Sequence, residues 1–141
     1  MTEESTTPDL VELVRQFGEA LGRRDFDAAM SSFAPGAVWD ASQPGVGTFE
    51  GPAAIRAFFE DWLVAYEEWD NHWEEVVALD NGVVFTVNRQ DARPAGGKGR
   101  VQERLALTFR FECAGLIGRV LVLQDIDEAR AAAERLAKER G

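Results

Sequence analysis

The sequence predicts an α+β fold in which helices pack on one face of a curved antiparallel sheet. Three observations predict it. Apolar stripes of helical period fill the first half of the chain, and four strand-like segments then follow with no helix between them. One amphipathic helix closes the chain. Helices and strands segregated in this way belong to a sheet covered on one face, not to alternating parallel units. A strongly bent sheet closed by helices leaves a cone-shaped cavity at one end.

The elements follow in order. After the polar, acidic stretch "MTEESTTPD", Leu10, Leu13, Val14, Phe17 and Leu21 recur at three- and four-residue spacing, and Gly22 ends this first helix. Asp25 is placed to cap a second, short helix through Phe26, Ala29, Met30 and Phe33, stopped by Pro35 and Gly36. "AVWDA" is too short for a helix and reads as a strand, and "GTFEG" reads as a brief second one. Pro52 opens a third helix with a wide stripe of Ile55, Phe58, Phe59, Trp62, Leu63 and Tyr66. "WDNHWEEVVAL", "NGVVFTVNRQDA", "GRVQERLALTFRFECA" and "IGRVLVLQDI" are the four strands. "DNG" and "AGLIG" are turn-like, and "RPAGGKG" is a longer, flexible loop. The last helix, "DIDEARAAAERLAKERG", is expected to be capped by Asp125 or Asp127. Residues 1–8 are expected to be a disordered tail, and 9–141 one domain. The 141 residues suffice for a single core, and no internal repeat appears.

Composition excludes several function classes. The net charge of −10 argues against nucleic acid and against anionic membrane surfaces, which both need a Lys/Arg footprint. No apolar run reaches the roughly 20 residues of a membrane span. The N-terminal stretch is the opposite of a secretion signal. The single cysteine, Cys113, allows no intrachain disulfide and fits a cytoplasmic setting. Cys113 sits in an apolar strand and is expected to be inert. One histidine and one cysteine far apart give no metal-ligand cluster, and no phosphate-cradling loop is present, so no metal or cofactor is expected.

The candidate site residues come from pattern. His72, the only histidine, lies between two tryptophans in "WDNHW" and is a candidate base. Asp40 is the other, at the end of the first strand; a surface or capping carboxylate is its competing reading. Strand alternation sends Trp39 and Ala41 to one face and Asp40 to the other. Arg89 and Glu103 are expected to pair across neighbouring strands at the rim. On the strand "GRVQERLALTFRFECA", Leu105, Leu107, Phe109 and Phe111 form an apolar inward row, while Ala106, Thr108 and Arg110 form a mixed face suited to a partner. Four tryptophans, all before the third long strand, suit a pocket for a flat hydrophobic molecule, although aromatic stripes also serve as plain core.

The stretches "LGRRDFDAAMSSFAPGAVWDAS", "FEGPAAIRAFFEDWL", "HWEEVVALDNGVVF" and "GRVLVLQDIDEARAAA" span nearly the whole chain. In order and spacing they resemble the SnoaL-like group of polyketide-cyclase and ketosteroid-isomerase relatives in the nuclear-transport-factor-2-like superfamily. The resemblance implies a cone-shaped roll of the cystatin-like type, a pocket between sheet and helices, and homodimers through the outer face of the sheet. It fixes no reaction, since the fold hosts isomerases, cyclases, hydrolases and binding proteins. An ungapped match places Ala41 where the isomerases carry their catalytic aspartate, and Leu107 where they carry the acidic oxyanion donor. The Arg–Asp and Asp positions of limonene-epoxide hydrolases fall on Val87, Arg89 and Val122. Both acid–base sets are therefore largely missing. The residues expected to line the pocket are Trp39 and Ala41 on the first strand, and Phe58, Trp62 and Tyr66 on the third helix. Phe85, Val87, Leu107, Phe109 and Val122 are expected to complete it from the sheet. Three readings remain open: a binding protein for a hydrophobic metabolite, a cofactor-independent enzyme moving a proton on a hydrophobic carbonyl substrate, and a dimeric interaction module.

Overall fold

The computed structural model describes residues 9–97, 99–112 and 115–139. The expected tail at residues 1–8 and Cys113 lie outside them. Asp9 opens α1 (Leu10–Gly22) by accepting a hydrogen bond from the Glu12 amide, and the helix buries Val14, Phe17, Ala20 and Leu21. α2 (Phe26–Met30) is capped in the same way by Asp25. It is shorter than the sequence suggests. Phe33 does not belong to it but starts β1 (Phe33–Ala41), where its ring meets Phe17 edge-on at 5.4 Å. Pro35 and Gly36 fall inside the strand, at a register irregularity, and stop no helix.

β2 (Gly47–Glu50) pairs back on β1, and Pro52 then begins α3 (Pro52–Leu63), which buries Ile55, Phe59 and Leu63. Tyr66, expected on that helix, is the first residue of β3 (Tyr66–Ala78). The helix ends early because Arg24, held at φ 61°, donates to the carbonyls of Leu63 and Tyr66 at 2.7 and 3.0 Å. One guanidinium thus satisfies a helix-end acceptor that would otherwise be orphaned. A tight turn at Asp80–Gly82, with Asn81 left-handed at φ 62°, leads into β4 (Val83–Pro94). β5 (Val101–Phe111) and β6 (Ile117–Leu123) complete the meander.

The six strands form one sheet in the order β2-β1-β6-β5-β4-β3. Four pairs are antiparallel as expected; β1 and β6 are parallel. The meander has an odd number of turns between β3 and β6 and returns beside β1 in β1's own direction. α3 carries the chain from the β2 edge to the β3 edge across the inner face, and α1 packs beside it, so the main core lies between these helices and the sheet. Phe109 of the inner row is fully buried there, against Phe17.

The outer face holds a second core. α4 (Ile126–Lys138), capped by Asp125, lays Ala129, Ala133 and Ala137 onto Val83, Phe85, Val87, Ala106 and Leu123. Three alanines let the helix approach the sheet closely. Arg130 fixes its orientation with two hydrogen bonds to Glu75 on β3, at 2.7 and 2.9 Å, while lying 4.8 Å from the Phe85 ring centroid. Those bonds hold the Glu75 carboxyl below the usual range. Two expectations are corrected here. Ala106 and Thr108, expected to face a partner copy, are buried, and Ala106 packs under the chain's own helix. Phe85 and Val87, expected in the pocket, belong to this outer core. The run "VVFTVNRQ" is buried on both faces, which hides its alternation. No helix among the described residues is long and apolar enough to cross a membrane.

Candidate functional site

A cavity of about 160 Å³ remains between α1, α3 and the inner face of the sheet. Strand parity decides who reaches it. Trp39 and Ala41 of β1 point in, and Leu107 and Val122 enter from β5 and β6. Phe58 and Trp62 come from α3, their rings stacked at 5.9 Å and 10°. Trp62 meets Trp69 of β3 edge-on at 5.6 Å, and Trp39 meets Phe59 edge-on at 4.8 Å. Such edge and offset contacts are the favoured aromatic geometries, so the rings brace one another instead of collapsing into the space.

Six of the ten expected lining residues therefore face the cavity: Trp39, Ala41, Phe58, Trp62, Leu107 and Val122. The other four do not. Phe85 and Val87 lie under α4. Phe109 is packed solid with Phe17, and Tyr66 stands beyond Trp62, 6.5 Å from its centroid.

Both candidate bases also lie outside. His72 is 49% exposed on the outer side of β3, 3.3 Å from Asp91. Trp69, Asn71 and Trp73 point inward, so His72 between them must point out. Asp40 points out for the same reason. Its carboxylate accepts from the Ser42 amide and hydroxyl at 3.0 and 2.6 Å and meets Arg119 at 3.3 Å. The Ser42 hydroxyl is the main cause holding its carboxyl below the usual range; partial burial opposes this, and the Ser42 amide and Arg119 reinforce it. A carboxylate so stabilised is a poor proton acceptor. It fixes the β1–β2 turn.

Arg89 does not pair with Glu103. It lies across from Arg104 and reaches Glu74 and Asp91 on the outer surface, at 3.7 and 3.6 Å. Glu103 lies opposite Gln90 and reaches the cavity rim, where it is exposed. It is the single charged side chain on the cavity wall among the described residues.

The polar side of the cavity escaped the sequence reading. Asn71 on β3 and Asn88 and Gln90 on β4 turn three carboxamides to the interior. Asn88, only 1% exposed, donates from Nδ2 to Asn71 Oδ1 at 2.6 Å. Its own Oδ1 and the Nε1–H of Trp69 are buried without a partner. Asn71 was legible: if Trp69 and Trp73 enter the core, the residue midway between them must enter too. Asn88 and Gln90 stand one residue along from Val87 and Arg89, so the epoxide-hydrolase match was out of phase with the strand. Among the described residues no group of three His, Cys, Asp or Glu side chains could hold a metal ion.

A family model described as a SnoaL-like domain matches residues 14–120. No curated protein matches the chain. Similar solved structures include TerC co-crystallised with polyporic acid, at 15% identity and TM-score 0.71, covering 89% of this chain and 98% of that one. RV0760c from Mycobacterium tuberculosis, in complex with estradiol-17beta-hemisuccinate, is 18% identical with TM-score 0.70, covering 84% and 95%. An LEH-like epoxide hydrolase of M. tuberculosis is 18% identical with TM-score 0.69, covering 89% and 90%. At these identities the likeness is one of fold.

Proposed function

The chain belongs to the SnoaL-like domain family, and from that premise we propose that it is a binding protein for a small hydrophobic molecule held between α1, α3 and the sheet. The observation that carries this reading is the cavity, walled by Trp39, Phe58, Trp62 and Leu107 and free of charge except at its rim. Its size sets the ligand. At about 160 Å³ it resembles the roughly 150 Å³ apolar cavity that takes one benzene and falls short of the roughly 300 Å³ where drug-sized pockets begin. That volume suits a one- or two-ring compound better than a four-ring steroid. That TerC and RV0760c were crystallised with ring compounds supports a ring-binding use of the fold.

Proton transfer on a carbonyl substrate has less support. His72 and Asp40 face away from the cavity, and among the described residues Glu103 at the rim is the one titratable group on the wall. The charge of −10 favours a neutral or cationic small molecule over nucleic acid as the partner. Calorimetric titration with 2-naphthol tests the reading. Saturable binding of one molecule per chain is expected. Trp62→Ala should weaken it about tenfold or more, through lost apolar contact. Equal affinity in Trp62→Ala, or no saturable binding at all, would contradict it.

A further inference from the structure

We propose, resting on that binding reading, that the ligand enters and leaves through an opening between α1 and β3, with the indole of Trp73 as its door. A groove of about 380 Å³ runs along this seam. Exposed Arg15 and Asp70 flank it, and Gly18, Trp69, Asn71 and Trp73 line both the groove and the cavity. Those four residues are therefore the partition between the two spaces.

Trp73 is the part of the partition that is free to move. Trp39, Trp62 and Trp69 are each braced by neighbouring rings, whereas Trp73 has no ring partner among the described residues. It is only half-buried, and it rests on Gly18, where a Cβ would stand 2.7 Å from its ring. It also stands at a bulge, because β3 carries one residue more than β4 between Trp73 and Glu75. A bulge interrupts the ladder and re-aims the side chain beside it. β3 is the edge of the sheet, so no further strand holds its other side. Gly22, four residues beyond Gly18 and on the same face of α1, keeps the space in front of the door clear. A Cβ there meets nothing within 4 Å. The rim beside Glu103 yields less, since Asp40 clamps the β1–β2 turn by accepting from Ser42 and meeting Arg119. An open state populated about 1% of the time is enough to pass a ligand.

The test is stopped-flow mixing with 2-naphthol, followed by tryptophan emission, on the wild type, Trp73→Ala and Gly22→Phe. A door moves both rate constants, whereas a lost wall contact raises the dissociation rate alone. Trp73→Ala should raise the association rate about threefold or more. Gly22 lines the groove and not the cavity. Gly22→Phe should therefore slow association and dissociation by one common factor, about threefold or more, with affinity kept within about twofold. Its ring enters open space at an exposed helix end, so the test stands even where Trp73→Ala fails to fold. Wild-type rates in Gly22→Phe would overturn this inference alone, with the ligand passing the rim and the binding reading intact. Faster dissociation with unchanged association in Trp73→Ala would overturn it as well, leaving Trp73 a wall contact. No saturable binding to the wild type would remove both.

Discussion

The indole of Trp73 lies over Gly18 so closely that a Cβ at Gly18 would stand 2.7 Å from Cζ2 and 3.2 Å from Nε1. Gly18 is in mid-helix, where glycine is normally a weakness, and both residues line the cavity. Replacing a helical glycine by alanine ordinarily stabilises by about 1 kcal/mol. Forcing an indole aside in a packed site costs about 1–3 kcal/mol, so the steric term wins. Gly18→Ala should therefore leave the melting temperature flat or lowered by a few degrees, with an altered near-ultraviolet circular dichroism band. A rise of about 3 °C or more, the usual helix gain, would show that Trp73 is not seated on α1.

Asp40 should matter for the β1–β2 turn and not for the cavity. Its carboxyl is held below the usual value, chiefly by the Ser42 hydroxyl. A carboxyl depressed in the folded state contributes stability that is fully present above its unfolded pKa, about 3.9, and is lost as pH falls through the lower folded value. Asp40→Asn should cost up to about 1 kcal/mol at neutral pH. The gap to wild type should close below about pH 4. Affinity for 2-naphthol should change less than twofold. Loss of ligand binding or of a native turnover in a folded Asp40→Asn protein would restore Asp40 as a site residue.

The outer core should be separable from the cavity. Ala133 is fully buried in the interface where α4 meets β4 and β5. Ala133→Leu should destabilise by about 1–3 kcal/mol through overpacking. Because the sheet stands between α4 and the cavity, ligand affinity in the folded variant should stay within about twofold. An affinity loss above tenfold would mean that α4 supports the site through the sheet.

The fold was legible because its signals are local. The α1 stripe, Pro52 at the start of α3, "DNG" and the Asp125 cap each dictate their element within a few residues, and the element order then selects an α+β roll. What failed needed long-range information. The end of α3 depends on Arg24, some forty residues upstream, whose guanidinium takes the Leu63 and Tyr66 carbonyls. Which face of β4 turns inward depends on its register with β3 and on α4 covering the opposite side; a strand buried on both faces carries no alternation to read. Phe85 and Val87 were misplaced for that reason, and Asn88 and Gln90 missed. At Trp39 and Ala41 a large aromatic beside an outward aspartate made the parity readable, and both residues line the cavity.

The central claim is that this cavity binds the ligand, and Ala41→Phe tests it most directly. Ala41 is 2% exposed on the cavity wall, between the rim and Trp39. A benzyl group there has only the cavity to enter, so it occupies the space a ring ligand needs. Calorimetric titration of wild type and Ala41→Phe with 2-naphthol, alongside thermal melts, is the measurement. Saturable binding to the wild type and at least about tenfold weaker binding to a folded Ala41→Phe protein is the predicted result. Undiminished binding to that variant would place the ligand elsewhere on the molecule and contradict the account.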